Sequence, residues 1–128
     1  MEAIINNLAG ARIDSSLIKK LTARVSRKKM IVGVSFVKKS AIRKLNRVFR
    51  KKDKPTDVLS FNMNEGKYLG DVIICPEVAK ANAKRYGSTL KAEMARLAVH
   101  GMLHLLGMDH GRKMFNIQDK IMEGIGYA

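Results

Sequence analysis

The stretch from Thr89 to His110 constrains the rest of the chain more than any other. Ser88 or Thr89 can start a long helix running to Leu106. Leu90, Met94, Leu97, Ala98, Gly101 and Leu105 line one side of it, and from Leu97 onward almost every side is apolar. A helix that is apolar all round is buried, so this one belongs at the centre of the fold. Yet it carries His100 and His104, and the last of the chain's three histidines, His110, follows closely. His100 and His104 lie four residues apart, which stacks them on one helix face a turn apart. Gly107 can stop the helix in a left-handed cap, so that the chain turns back and brings His110 to the same point. Three neutral imidazoles around one ion, with a fourth position left to water, form the pattern of a catalytic zinc site. The alternative is a helix-packed pair of core histidines with a third on a loop. Three histidines at this spacing, with the glycine in register, favour the metal.

The same spacing occurs in the metzincin peptidase signature, H-E-x-x-H-x-x-G-x-x-H. Here Gly101 stands where that signature has its glutamate, the general base of the peptidases. The metal cage of a zincin-like helix is therefore present, and the peptidase base is absent.

A chain of 128 residues is expected to form one domain, residues 1–128, long enough to bury a core without disulfides. An apolar content of 46% fits a globular protein. The single cysteine, Cys75, excludes an internal disulfide framework and fits a reducing compartment. It ends the apolar run Val72-Ile73-Ile74-Cys75 and reads as a small core residue. No stretch reaches the roughly 18 apolar residues of a membrane span. Met1 to Gly10 has no basic segment ahead of a long apolar run, so a cytoplasmic location is expected and no membrane partner.

Charge identifies the class of partner. Lys and Arg number 25 against 11 acids, for a net charge of +14. Fifteen of those cations lie between Lys19 and Lys54, where Asp53 is the one acid. A one-sided field of this kind attracts a polyanion, nucleic acid first and an anionic membrane surface second. The bland alternative is a basic surface kept for solubility.

Along the chain, residues 2–8 read as a short edge strand. Asp14 or Ser15 can cap a helix running to about Val25, with Leu17, Ile18 and Leu21 at helical spacing. Met30 to Val37 reads as a strand with Val32, Val34 and Phe36 on one face. Ser40 begins a helix to about Lys51. Ala41, Ile42, Leu45, Val48 and Phe49 form its apolar stripe, and Arg43, Lys44, Arg47, Arg50 and Lys51 form the opposite one. A purely cationic face can present a row of donors to phosphates, whereas an ordinary solvated face mixes signs. The segment from Lys52 to Asp57 is a turn stopped by Pro55. Val58 to Met63 is a strand that returns through a connection at Asn64-Glu65-Gly66-Lys67 into a buried strand, Leu69 to Cys75. Pro76 opens a helix over 76–86, and after His110 a last helix is expected from Met114 to Ile125, ending at Gly124 or Gly126. The order β-α-β-α-β-β-α-α-α argues an α+β fold, a small mixed β-sheet covered by helices with the histidine helix packed against it.

Two blocks carry a family resemblance. His100-Gly101-x-Leu103-His104-Leu105-x-Gly107-x-Asp109-His110 is one. Asn46-x-x-x-Arg50-x-x-Asp53-Lys54-Pro55-Thr56-Asp57-Val58-Leu59-Ser60-Phe61 is the other, and Gly70-Asp71-Val72-Ile73-Ile74-Cys75 adds a strand block. The chain resembles the YbeY-type family of metal-dependent endoribonucleases over most of residues 42–122. The resemblance implies a bacterial or organellar enzyme of the cytoplasm that cleaves single-stranded RNA. It further implies a part in 3′-end maturation of small-subunit ribosomal RNA and in ribosome quality control, with the ribosome or its small subunit as partner. It implies one zinc on His100, His104 and His110, and makes Arg50 the functional arginine of the cleft. The sequence departs from the family pattern at Asn62, where many members have proline, in a short segment from Asn62 to Leu69, and at Gly111-Arg112-Lys113, which replaces a longer acidic stretch. The result is a more basic cleft rim, which suits RNA better than peptide.

On this reading zinc polarises a phosphoryl oxygen and acidifies its water, while Arg50 grips the phosphate. Asp109, beside a ligand, can orient an imidazole or cap the turn after Gly107. Asp57 and Asp71 can orient imidazoles too, or serve turn and strand-end roles. Arg43, Lys44, Arg47 and Lys51 are candidate RNA contacts. Two rivals remain. One is a zinc-dependent hydrolase of peptides or small molecules, disfavoured by Gly101 so that no peptide substrate is expected. The other is a ribosome-associated RNA-binding protein whose zinc is structural. A structural site would close its fourth position, and the one cysteine is far from the histidines in sequence.

Overall fold

A computed structural model describes residues 1–124. Nine elements follow one another: β1 (Glu2–Asn7), α1 (Ser15–Val25), β2 (Ile31–Phe36), α2 (Lys39–Arg50), β3 (Val58–Glu65), β4 (Tyr68–Ile74), α3 (Pro76–Arg85), α4 (Leu90–Leu105) and α5 (Arg112–Met122). Their order is the expected one. The last helix, expected from Met114 with its end at Gly124 or Gly126, runs from Arg112 to Met122 and so stops short of Gly124, while Ile125 and Gly126 lie outside the described residues.

The strands form one sheet in the order β1-β2-β4-β3. β1 runs parallel to β2 and β2 parallel to β4, while β3 joins β4 antiparallel through a tight hairpin at Gly66-Lys67. Parallel neighbours need a crossover. α1 supplies it between β1 and β2, and the segment α2-β3 supplies it between β2 and β4. As expected, β1 is an edge strand.

Alternation along the strands divides the two faces. Val32, Val34, Phe36, Val72 and Ile74 are fully buried on one face, where Leu21, Leu97, Met102 and Leu103 join them in the main core. Each fully buried side chain of this size contributes roughly 1.5–3 kcal/mol. α4 packs on β3 and β4 and touches α1, α3 and α5, so it is central. Its N-terminus is capped by Thr89, whose hydroxyl accepts from the Ala92 N–H at 3.1 Å. On the other face a smaller cluster gathers Val37, Ile42, Leu59 and Cys75. Cys75 is fully buried there, as its apolar run implies.

One expectation fails on α2. Its apolar stripe was to be Ala41, Ile42, Leu45, Val48 and Phe49, but only Ile42 and the half-buried Leu45 reach the small cluster. Ala41 is exposed, as are Val48 and Phe49, at 56% and 58%. The polar Asn46 is buried instead, because its side-chain amide donates to the Lys54 carbonyl at 2.9 Å and ties the helix to the following turn.

Candidate metal centre

α4 presses its backbone against the sheet at the first histidine pair. A Cβ on Gly101 would stand 2.6 Å from Val72 Cγ1 and 2.9 Å from Cγ2. Any side chain there would have to displace Val72, which is a physical reason why glycine rather than glutamate suits the position. The approach turns His100 and His104 away from the sheet into a cleft. Their rings meet edge to face with centroids 4.7 Å apart, and their Nε2 atoms lie 3.2 Å from each other.

The chain then reverses as the glycine suggests. Gly107 has φ 90°. Its N–H donates to the His104 carbonyl at 2.9 Å, and the Met108 N–H donates to the Leu103 carbonyl at 3.1 Å. This pair of bonds is a Schellman cap. It returns the chain so that the His110 ring centroid lies 4.5 Å from that of His104 and 4.9 Å from that of His100. One nitrogen from each of the three rings falls within 4.8 Å of the others.

The donor set fits a zinc-class ion. Two bonds of about 2.0–2.1 Å meeting at the tetrahedral angle place nitrogens about 3.3–3.4 Å apart, close to the observed Nε2 pair at 3.2 Å. The tautomer of His100 fits as well. Gln118 on α5 is buried, and its Oε1 lies 3.0 Å from His100 Nδ1. An amide oxygen only accepts, so Nδ1 carries the proton and donates, which leaves the Nε2 lone pair facing His104. Burial pushes the His100 pKa below its ordinary value, and the neighbouring His104, His110 and Arg96 push the same way against the Gln118 bond. The ring is thus held in its neutral, ligating form. His100 is buried, His104 half-buried and His110 exposed, so the cluster opens on one side to the solvent.

That open side is a cleft of about 660 Å³ whose lining includes Arg50, Asp57, Ser60, Asn62, Arg96 and Phe115 besides the histidines. Arg50 reaches it from the end of α2. Its Nη2 donates to the Ser60 carbonyl at 2.8 Å, and its guanidinium lies 4.9 Å above the Phe61 ring. Fixed by a hydrogen bond and a cation–π contact, it still has donors to offer a phosphate.

The other basic residues of α2 divide. Arg43 pairs with Asp53 through Nε at 3.0 Å, and Arg47 approaches the same carboxylate at 3.9 Å. Arg43, by hydrogen bond and charge, and Arg47, by charge, hold the Asp53 carboxyl below its usual range. Lys44 and Lys51 are exposed, and Lys51 sits in the left-handed region at φ 57° as the helix cap. The expected unbroken row is therefore partly neutralised.

Among the three aspartates, none is the orienting partner seen on His100; that role falls to Gln118. Asp109 is exposed in the loop before α5. Asp57 does line the cleft, but its carboxylate accepts from Asn82 at 3.1 Å and from the Thr56 hydroxyl at 3.4 Å. Asp71 is a correction. It alternates with Val72 and Gly70, which face α4, so its side chain lies on the opposite face of the sheet, where the Tyr68 hydroxyl donates to it over Gly33. Burial and the Asp71 bond push Tyr68 up to about 12.

Gln118, Arg96 and Phe115 have no counterpart in the sequence reading. Gln118 interrupts the apolar register Met114-Gln118-Ile121, a polar intrusion that signals a buried partner. Arg96 stands a turn before His100 and forms a bidentate pair with buried Glu93 at 2.9 and 2.7 Å. Phe115 gives no signal in sequence, because an aromatic in an amphipathic helix reads as core.

Comparison with known proteins gives a consistent answer. A family model described as "Endoribonuclease YbeY" matches residues 5–126. The Endoribonuclease YbeY of Sulfurihydrogenibium sp. (strain YO3AOP1) is 42% identical over 118 residues, covering 84% of this chain and 78% of that protein. The Endoribonuclease YbeY of Staphylococcus carnosus (strain TM300) is 42% identical over 110 residues, covering 74% and 72%. Among solved structures, the solution structure of TM1509 from Thermotoga maritima superimposes with a TM-score of 0.68 at 32% identity, over 94% of this chain and 87% of that one.

Proposed function

The chain belongs to the YbeY endoribonuclease family, and from that premise we propose that it is a single-strand-specific, zinc-dependent endoribonuclease. On this reading residues 1–128 form one catalytic domain, working in the cytoplasm on ribosomal RNA. Its tasks are 3′-end maturation of small-subunit RNA and ribosome quality control, in contact with the ribosome. Among the described residues no helix is long and apolar enough to cross a membrane.

The observation that carries the chemistry is the convergence of His100, His104 and His110 at one end of a cleft that also holds Arg50. These three residues would hold the ion, which when bound supplies Lewis acidity toward a phosphoryl oxygen. Gln118 fixes the His100 tautomer. Arg50, braced by Ser60 and Phe61, binds the scissile phosphate and offsets the charge that develops on it. Lys44 and Lys51 hold the flanking backbone by charge, with Arg43 and Arg47 beside them sharing Asp53. Asp57 lines the same cleft, with its carboxylate held by Asn82 and Thr56. A peptidase reading loses its base to the Gly101–Val72 contact.

The test measures bound zinc, then cleavage of a single-stranded RNA and of a generic peptide by the native protein, His104→Ala and Arg50→Ala. Native protein should bind about one zinc and cleave RNA alone. His104→Ala should lose both metal and cleavage, and Arg50→Ala should lose cleavage while keeping zinc. Salt-dependent RNA binding without any cleavage would sink the enzyme reading.

A further inference from the structure

The four phenylalanines are unevenly used. Phe36 is fully buried in the core. Phe49 and Phe61 form an edge-to-face pair beside Arg50, with centroids 5.4 Å apart. Phe115 lines the cleft from the α5 side and leaves 44% of its surface exposed. A single exposed ring is ordinary on a protein surface, but this one stands inside the cleft, beside the three histidines.

The placement of Phe115 is fixed by its helix. Met114, Gln118 and Ile121 are the buried residues of α5, and Gln118 is bonded to His100. Phe115, one step on from Met114, is thereby turned toward the histidines. Its ring lies within 15° of parallel to that of His110 with centroids 6.3 Å apart, and its centroid is 6.1 Å from that of His100. The ring is thus a flat surface beside the three histidines, with part of it free.

We propose that Phe115 is a nucleobase platform, on which the base of a nucleotide adjoining the scissile phosphate stacks. The proposal rests on the ribonuclease reading above and adds a base subsite to its phosphate site. A base has a π-face whatever its identity, so the contact is tolerant of sequence. A base inside an A-form duplex is already covered on both faces by its neighbours, so only an unpaired nucleotide can lie on the ring. Preference for single strands then arises from this contact, while Arg50 and the histidines address a phosphate that every RNA has.

The experiment is an abasic scan. A single-stranded ten-nucleotide RNA with one mapped cleavage site is compared with versions lacking one base each, using zinc-loaded native protein, Phe115→Ala and Phe115→Trp. With native protein, loss of one base next to the cleaved bond should raise KM about tenfold with little change in kcat. In Phe115→Ala that position should lose its penalty, the intact and abasic strands becoming equal substrates. Phe115→Trp should restore the penalty. A full penalty surviving in Phe115→Ala overturns the proposal, as does a native protein indifferent to every missing base. If native protein cleaves nothing, the nuclease reading fails separately, and the same scan read by fluorescence anisotropy of binding decides the platform by the same outcomes.

Discussion

The helices α4 and α2 bring their groups to one cleft by opposite means. In α4, 12 of 16 residues are buried, so each side chain has one place to go. In α2 only Ile42 and Asn46 of 12 residues are buried, and the helix is held by a small cluster and by side-chain hydrogen bonds from Asn46 and Arg50. Binding an ion demands ligand positions good to a fraction of an ångström, which dense packing supplies. Holding a flexible polyanion demands long cationic side chains with solvent around them. The histidines of α4 therefore lie in or against the core, with His110 following in the exposed loop, and the candidate phosphate contacts lie on its margin. Changes in α2 should spare the fold and the ion, whereas changes around α4 should reach both.

The largest test of that separation is Arg50→Ala. Removing one donor aimed at developing charge costs about 10²–10³ in kcat, and zinc content and thermal midpoint should stay at native values. Loss of zinc in this variant would break the comparison. Next comes Gln118→Leu, which leaves the His100 Nδ1 proton without an acceptor. Zinc affinity should fall roughly 10- to 100-fold, measured by competition with a chelator, although Gln118 touches no ion itself. Gly101→Ala follows. Its Cβ must push Val72 and the sheet away, an overpacking that costs about 1–3 kcal/mol in a urea titration.

Acid should act on α4 in the metal-free protein. The His100 pKa is held below its ordinary 6.5 in the fold. As pH falls, the unfolded chain takes up the proton first. Stability from this group is therefore complete above about 6.5 and is lost progressively below it as pH drops through the folded value. The urea midpoint should decline between pH 7.5 and 5, and His100→Gln should flatten that slope. The smallest effect belongs to Lys44→Ala. Binding of RNA should weaken evenly across sequences, and the slope of log affinity against log salt should shrink by about 1 or less.

The difference between the helices also separates what could be read in the sequence from what could not. The histidine helix was legible because apolarity on every side admits only a central position, and the Gly107 reversal follows from the one residue that favours its φ of 90°. α2 was legible as a helix but not in its packing. Periodicity shows which residues share a face, not whether anything covers it, so Val48 and Phe49 read as core and are exposed. The pairing of Arg43 and Arg47 with Asp53 depends on the turn after α2 folding back, which no local pattern encodes. Asp109 was named beside a ligand in sequence, but the residue that orients His100 comes from 18 positions away. Asp71 was named from its motif, and strand alternation puts it on the far side of the sheet.

The Gly101–Val72 contact has a consequence for how such a scaffold can change its trade. A glycine and a glutamate differ by a short mutational step, and the three histidines already stand at a peptidase's spacing. Packing nonetheless blocks the step, because the first atom of any side chain at 101 collides with the strand beneath. A route to a peptidase must begin elsewhere, with Val72 cut down to open a hollow under the helix, and that hollow weakens the core before any new chemistry exists to compensate. The valley between the two activities is made of van der Waals contacts between the helix and the strand beneath it.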